Sequence, residues 1–529
     1  MRQLKKLSIY MVTVMVIFGT SCSKDFLERN PSTALSNATA LTNLSGCEAA
    51  VVGTMSQFTS SAYTGRDLTV IGDLATDNVS TTRQNAGHLL DIERWNITPS
   101  LGEVKNIWIA SYSIIASSTK IIQASKKLIA EDSKKDEKKS LNTCVAAALS
   151  MKAYAEFILT QYYCLPYNEN RKGNVGIILV GETPITKDEA VSASTLEETY
   201  NHILAELKEA IQLFNENSKA FSSSSSQYFP TLCMAYTLQA RVYQSQGKQR
   251  LAAEAADNAL KNLPAGTLPT LTKDIAQYYG NYMKPTITPE DIWTINYTTQ
   301  DNLSANSINN MYGSYGASIS VPLLKLFRGT DIRKALYPDA LSNDEKRPVY
   351  SFCLKFPAKD LINNVPVFRV PELYLIRAEA YANPKGDCFD ENAAKTELLK
   401  VIGARDTTIK TVADIDAKYM ISGKSVLNVV LDERRREFAC EGHRWFDMRR
   451  NDITLNHPND ESISGSSAKS AFRISFTGYK IFNFAFPVPE SETNTGAWQK
   501  GNRKQNEAWK TSGNTYAPVD QLPYDQASF

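Results

Sequence analysis

The sequence predicts a mainly α-helical fold in which tetratricopeptide-like helix pairs form a right-handed scaffold, interrupted by long loop-rich insertions that carry short β-strands. Three observations predict it. Apolar residues recur at helical spacing in paired segments. One pair also carries small residues and a proline at tetratricopeptide offsets. The segments between pairs are rich in Asn, Thr, Ser, Gly and aromatic residues.

The elements follow in chain order. Arg2, Lys5 and Lys6 precede an apolar run from Leu7 to Phe18, closed by Gly19, Thr20 and Ser21. That is the layout of a signal peptide over residues 1–21, and the run is shorter than the ~20 apolar residues a bilayer span needs. Cys22 follows at once, and residues 22–36, polar and containing Pro31, form a tether. Residues 37–529 are expected to fold as one domain. A helix is expected at 37–58, then a hairpin of helices at 103–129 and 139–162, with "EDSKKDEKK" as its solvated turn. A second pair covers 195–215 and 229–246, joined by the serine run Ser222 to Ser226. In "LQARVYQSQGKQRLAAEAADNALKNLP", Ala240, Tyr243, Gly247, Ala252, Ala259 and Pro264 stand where two helices must approach closely, turn and stop. Further helices are expected at 369–383, 390–403 and 425–441. The insertions lie at 60–102, 164–194, 265–368 and 450–529, with strand-like "DIWTINY" and "FNFAFPVP". Loops of this length inside a compact body usually carry function.

Composition excludes several classes. The chain has 529 residues with 58 basic and 56 acidic side chains. Without the leader the basic count falls to 55, so no basic excess exists to neutralise phosphates, and nucleic acid is not an expected partner. Seven cysteines follow Cys22 without a C-x-x-C pair, which reads as free thiols rather than a zinc site or a disulfide framework. Four scattered histidines give no metal-ligand spacing, and no cofactor is expected, although a calcium ion in an Asp- and Asn-rich loop is left open. The 25 tyrosines and 6 tryptophans suit either a core or a sugar- or peptide-binding face.

"LDERRREFACEGHRWFDMRR", Leu431 to Arg450, places Glu433, Glu437 and Glu441 on one helix face beside Arg434, Arg435, Arg436 and Arg444. Paired carboxylates could serve glycoside hydrolysis, but acids with arginine neighbours read as an ionised structural network. No nucleophile elbow, Walker loop or H-E-x-x-H is present, and an enzyme is not expected.

These residues resemble the SusD/RagB family of outer-membrane nutrient-binding lipoproteins. The resemblance runs through "CSKDFLERNPST", "WIASYSIIASSTKII", "SMKAYAEFILTQYYCLPY", "FRVPELYLIRAEAYA", the Leu431 to Arg450 segment and "FPVPESETNTG". Cys22, after its small residues, is similar to the acylated lipobox cysteine, with Gly19 where that motif usually has leucine; an ordinary secreted protein is the alternative. The resemblance implies a lipid-anchored, surface-exposed outer-membrane protein with a SusC-type TonB-dependent transporter as partner and a glycan as ligand. Peptide cargo on the same scaffold, and a tetratricopeptide adaptor binding a protein, are the alternatives. It also implies ligand contacts from two loops, "DLATDNVSTTRQNAGHLLDIERWN" and "DNLSANSINNMYGSYGAS". The candidates there are Asp77, Asn78, Arg83 and Trp95 in the first, and Asn302, Asn309, Tyr312 and Tyr315 in the second. Trp95 is equally readable as a loop anchor. Trp293, Trp108 and Tyr112 read as core.

Overall fold

The computed structural model describes residues 40–81, 85–181, 192–217, 226–282, 286–340, 350–351, 353–357, 362–453, 455–456, 473–474, 485–495, 509–512 and 515–518. Cys22, the tether and Arg83 lie outside these residues.

Helix α1 (Leu44–Gln57) starts where the Asn43 side chain accepts a hydrogen bond from the Gly46 amide, seven residues inside the expected 37–58. Within the insertion expected at 60–102 stands a helix, α2 (Asp67–Leu74), with every residue buried, followed by strand β1 (Val79–Thr81). Helices α3 (Gly102–Ile129) and α4 (Lys138–Tyr163) form the expected hairpin around the charged turn Asp132–Glu137. From Thr143 to Tyr163 every residue of α4 is buried. Among the described residues, Lys134–Tyr163 is the one helix long and apolar enough to cross a membrane, and its apolar window is wholly enclosed by protein. A helix apolar on all sides is stable in water only at the centre of a large core.

Thr195 and Glu198 close a capping box at the start of α5 (Leu196–Glu216), each side chain taking a backbone N–H of the other residue. Helices α6 (Leu232–Ser245) and α7 (Gln249–Lys261) meet through Ala240, Ala252 and Ala259, all fully buried. Gly247, at φ +74°, makes the turn between them. After strands β2 (Asp291–Ile295), β3 (Ala317–Ile319) and β4 (Val365–Arg369), helices α8 (Val370–Ala382) and α9 (Glu391–Arg405) form a further pair. From α3 to α9 each of these scaffold helices packs on the next of them, α7 meeting α8 across the 265–368 insertion. That sequence of neighbours is a helical scaffold of tetratricopeptide-like pairs.

The helix expected at 425–441 ends four residues early, and a second, short helix follows beyond that range. Helix α10 (Val426–Glu437) stops, Cys440 at φ +66° and Gly442 at φ +78° reverse the chain, and α11 (Arg444–Arg450) follows. Neither left-handed position can continue an α-helix. "DIWTINY" does form strand β2, whereas the described part of "FNFAFPVP", from Ala485, carries no strand. Trp293 and Trp108 are core residues, and the seven described cysteines are free, six of them buried.

Two small sheets tie the insertions to the scaffold. β1 pairs antiparallel with β3, Val79 opposite Ile319 and Thr81 opposite Ala317, and β3 continues to Tyr350–Ser351 and Asp339–Ala340. β2 pairs antiparallel with β4, from Asp291 opposite Arg369 to Ile295 opposite Val365, with irregular register between.

Candidate ligand-binding surface

The β1–β3 pairing brings the two candidate loops together although about 240 positions separate them. Ser320 reinforces the junction: its amide donates to the Asn78 carbonyl at 2.8 Å and its hydroxyl to the Asp77 carbonyl at 2.7 Å. Farther along, the Asn85 amide donates to the Tyr315 carbonyl at 3.4 Å. These bonds fix His88 and Tyr315 face to face, ring centroids 3.7 Å apart and planes within 20°. Both rings are half-buried. Their chain neighbours Ala86, Gly87 and Ser314 are exposed, as are Asn302, Ser304, Ala305 and Asn306 earlier in the second loop.

The first loop is held in an unusual backbone conformation. Ala86, Leu89 and Trp95 have φ of +54°, +55° and +58°, with Gly87 at +99°. Left-handed backbone costs a non-glycine residue roughly 1–2 kcal/mol, so packing must hold it. Trp95 supplies that packing. It is 1% exposed and lies 5.8 Å from Trp445, which in turn stacks on Tyr162. Glu93 adds a second anchor, its carboxylate accepting from the Thr81 amide at 2.9 Å and from the Thr81 hydroxyl.

Burial separates the candidates. Tyr315 and Asn302 remain at the surface, Asn302 accepting from the Ser304 amide at 2.7 Å. Asn78, Trp95, Asn309 and Tyr312 are each 1% exposed and present no face to a ligand. Asn78 donates to Asp73 and accepts from Arg435, both at 2.9 Å. Asn309 donates to the Pro357 carbonyl and stands against Asn363, whereas Tyr312 stacks on Phe356. Asp77 is committed to Arg444 at 2.7 Å and Arg435 at 3.4 Å. Burial opposes its ionised form, but Arg444 and Arg435 outweigh it and hold the carboxyl well below the usual range. His88, which sequence reasoning does not single out, completes the surface pair. Its only local signal is the glycine beside it.

Residues 25–244 match a family described as starch-binding associating with outer membrane, and residues 361–527 match the SusD family. Between them the two matches cover well over half the chain. The chain belongs to the SusD family. It is 22% identical over 489 residues to SusD-like protein P2 of Formosa agariphila, covering 83% of this chain and 90% of that one. The fold is that of a solved SusD superfamily protein from Bacteroides thetaiotaomicron (TM-score 0.72, 20% identity, 88% of this chain and 99% of that one). A solved SusD-like carbohydrate binding protein from Bacteroides vulgatus is also similar (TM-score 0.68, 17% identity, 87% and 98%).

In this SusD family chain Glu433 and Glu437 of α10, and Glu441 in the turn beyond it and so off the helix face expected for it, are bound into an ion network. Glu433 meets Arg333 at 2.7 Å and Arg436 at 2.6 Å. Glu437 meets Arg369 at 2.9 Å and both Arg333 and Arg405 at 3.0 Å. Glu441 meets Lys355 at 2.5 Å and Arg369 at 2.8 Å. Burial works to raise the Glu437 carboxyl, but Arg405, Arg369 and Arg333 hold it far below its ordinary value. An acid and base pair needs carboxyls tuned apart, one of them kept protonated; here Glu437 is held ionised, and Glu433 and Glu441 are each bonded to basic side chains. The adjoining cavity, lined by Tyr278, Glu290, Lys355 and Arg369 among others, holds about 30 Å³, which is space for a water and not for a sugar.

Proposed function

We propose that this protein is a lipid-anchored glycan-binding protein of the cell surface that passes its cargo to a SusC-type TonB-dependent transporter. The His88–Tyr315 stack carries the reading. Stacked at 3.7 Å, the two rings fix each other in place, and the outer face of the stack is an aromatic platform of the kind a pyranose C–H face packs on. Asn302 and Asn306, exposed in the same loop as Tyr315, offer amides that can bridge adjacent hydroxyls. The bonds between the loops and the left-handed backbone of the first loop support the same reading, because a preformed loop loses little entropy when it binds. The carbohydrate-binding description of the Bacteroides vulgatus neighbour and the starch-binding description of the family match agree with it. Cys22, behind its leader, would supply the acylated anchor, and more than one acyl chain gives stable attachment.

Isothermal titration of the soluble form from Ser23 onward against host, plant and microbial polysaccharides tests the proposal, with protein digests as the comparison set. One glycan class gives heat, and Tyr315→Ala weakens that binding by about 1–3 kcal/mol, the range for loss of one aromatic stacking platform, while leaving the thermal midpoint unchanged. Silence on every glycan with heat from peptides moves the protein to peptide capture. Binding untouched by Tyr315→Ala removes the platform from the argument.

A further inference from the structure

Helices α4 and α5 enclose a second cluster, remote in sequence from the loops above. Glu156 of α4 and His202 and Glu206 of α5 bring their donor atoms together, all within 4.8 Å of one another. His202 Nε2 lies 3.1 Å from Glu206 Oε1 and 3.6 Å from Glu156 Oε1, yet neither contact is a hydrogen bond. Glu156 is fully buried and neither of its carboxylate oxygens has a hydrogen-bond partner. Its nearest cationic groups, Lys152 Nζ and His202 Nε2, both stand off at 3.6 Å, and a buried carboxylate held this loosely is incompletely satisfied.

We propose that Glu156, His202 and Glu206 bind a divalent transition metal ion of zinc's kind that clips α4 to α5. Zn–N and Zn–O bonds of about 2.0–2.2 Å arranged tetrahedrally put neighbouring donor atoms about 3.4 Å apart. The two separations from His202, 3.1 and 3.6 Å, straddle that value, and that between the two carboxylates lies within 4.8 Å. One imidazole with two carboxylates is a borderline donor set, suited to zinc and poor in the six to eight oxygens that calcium takes. His202 and Glu206 are four residues apart on one helix face, so α5 presents both to α4 without distortion. The His202 side chain is 29% exposed, which opens a path for the ion and leaves the fourth position to water.

Lys152 holds the cation's place in the metal-free chain. Its ammonium contacts Glu206 Oε1 and stands 3.6 Å from Glu156 Oε1. Zinc binding displaces this ammonium from between the carboxylates and leaves His202 Nε2 without a proton, so a proton is released as the ion enters.

The full-length protein in detergent micelles, stripped with EDTA and titrated with zinc sulfate, tests this by metal analysis and thermal unfolding. One zinc per chain is expected, with a raised midpoint. His202→Gln, at a partly exposed position, and Glu156→Gln each weaken uptake by about tenfold or more, with unchanged circular dichroism. Lys152→Gln, which removes the competing ammonium, binds more tightly. Uptake by the wild type no greater than by a Glu156→Gln, His202→Gln double variant overturns the site, as does saturation by calcium in place of zinc.

Discussion

Asp77 shows how a side chain chosen for its chemistry ends in a structural role. Its carboxylate accepts from Arg444 Nε at 2.7 Å and Nη2 at 3.0 Å, with Arg435 Nη2 3.4 Å away. Both arginines are largely buried, and removing the partner of a buried charge costs about 3–5 kcal/mol. Asp77→Ala is therefore expected to lower unfolding free energy by about that amount, measured by urea titration at pH 7, without weakening glycan binding in the protein that remains folded. The pH dependence has a defined sign. The folded carboxyl titrates below the unfolded value of about 3.9, so its stabilisation is complete above that value and lost as pH falls towards the folded one. Wild type should lose stability from pH 5 downward more steeply than Asp77→Asn. Equal slopes would mean that the arginines do not hold this carboxyl ionised. A lone sequence separates Asp77 from Asn302 poorly, because both are polar residues in amide-rich loops. The deciding partners, Arg435 and Arg444, lie more than 350 positions away.

At the scale of elements, legibility follows the range of the determining contacts. The α6–α7 pair was readable because its small residues, its turn glycine and Pro264 all act within about 25 positions. Helix α2 was not readable, since its burial depends on the turn after α10. Gly72 and Gly442 let those two segments touch: a Cβ on Gly72 would stand 2.2 Å from the Gly442 carbonyl oxygen, and one on Gly442 2.8 Å from the Leu68 and Thr69 carbonyls. The contact is backbone on backbone, so no side chain can rotate away. The Gly442 amide also donates to buried Asp73 at 2.8 Å. Gly72→Ala must push the segments apart, at a cost of roughly 1–3 kcal/mol or more, seen as a lower thermal midpoint. A midpoint within 1 °C of wild type would show that α2 can shift away freely.

Across the whole molecule, the ion network around α10 does what hydrophobic packing does between the helix pairs. Glu437 joins Arg333 from the 265–368 insertion, Arg369 at the end of β4 and Arg405 at the end of α9, while Glu290, just before β2, closes the circuit on Arg405 at 2.6 Å. Three arginines share one fully buried carboxylate, so replacing Glu437 with Gln leaves excess positive charge in a buried site. The expected loss is at least the about 3–5 kcal/mol of a broken buried pair, and added salt should not restore it because buried charges are weakly screened. The distribution of the loss is more informative than its size. Arg333 belongs to the insertion whose strand β3 holds Tyr315 against His88, whereas α3 and α4 pack on each other without the network. Hydrogen exchange of Glu437→Gln should therefore quicken in 286–340 well beyond any change in α3 and α4, and glycan affinity should fall with it because the platform loses one wall. Uniform acceleration would instead make the network part of a single cooperative core, and the loops would owe their order to the scaffold as a whole.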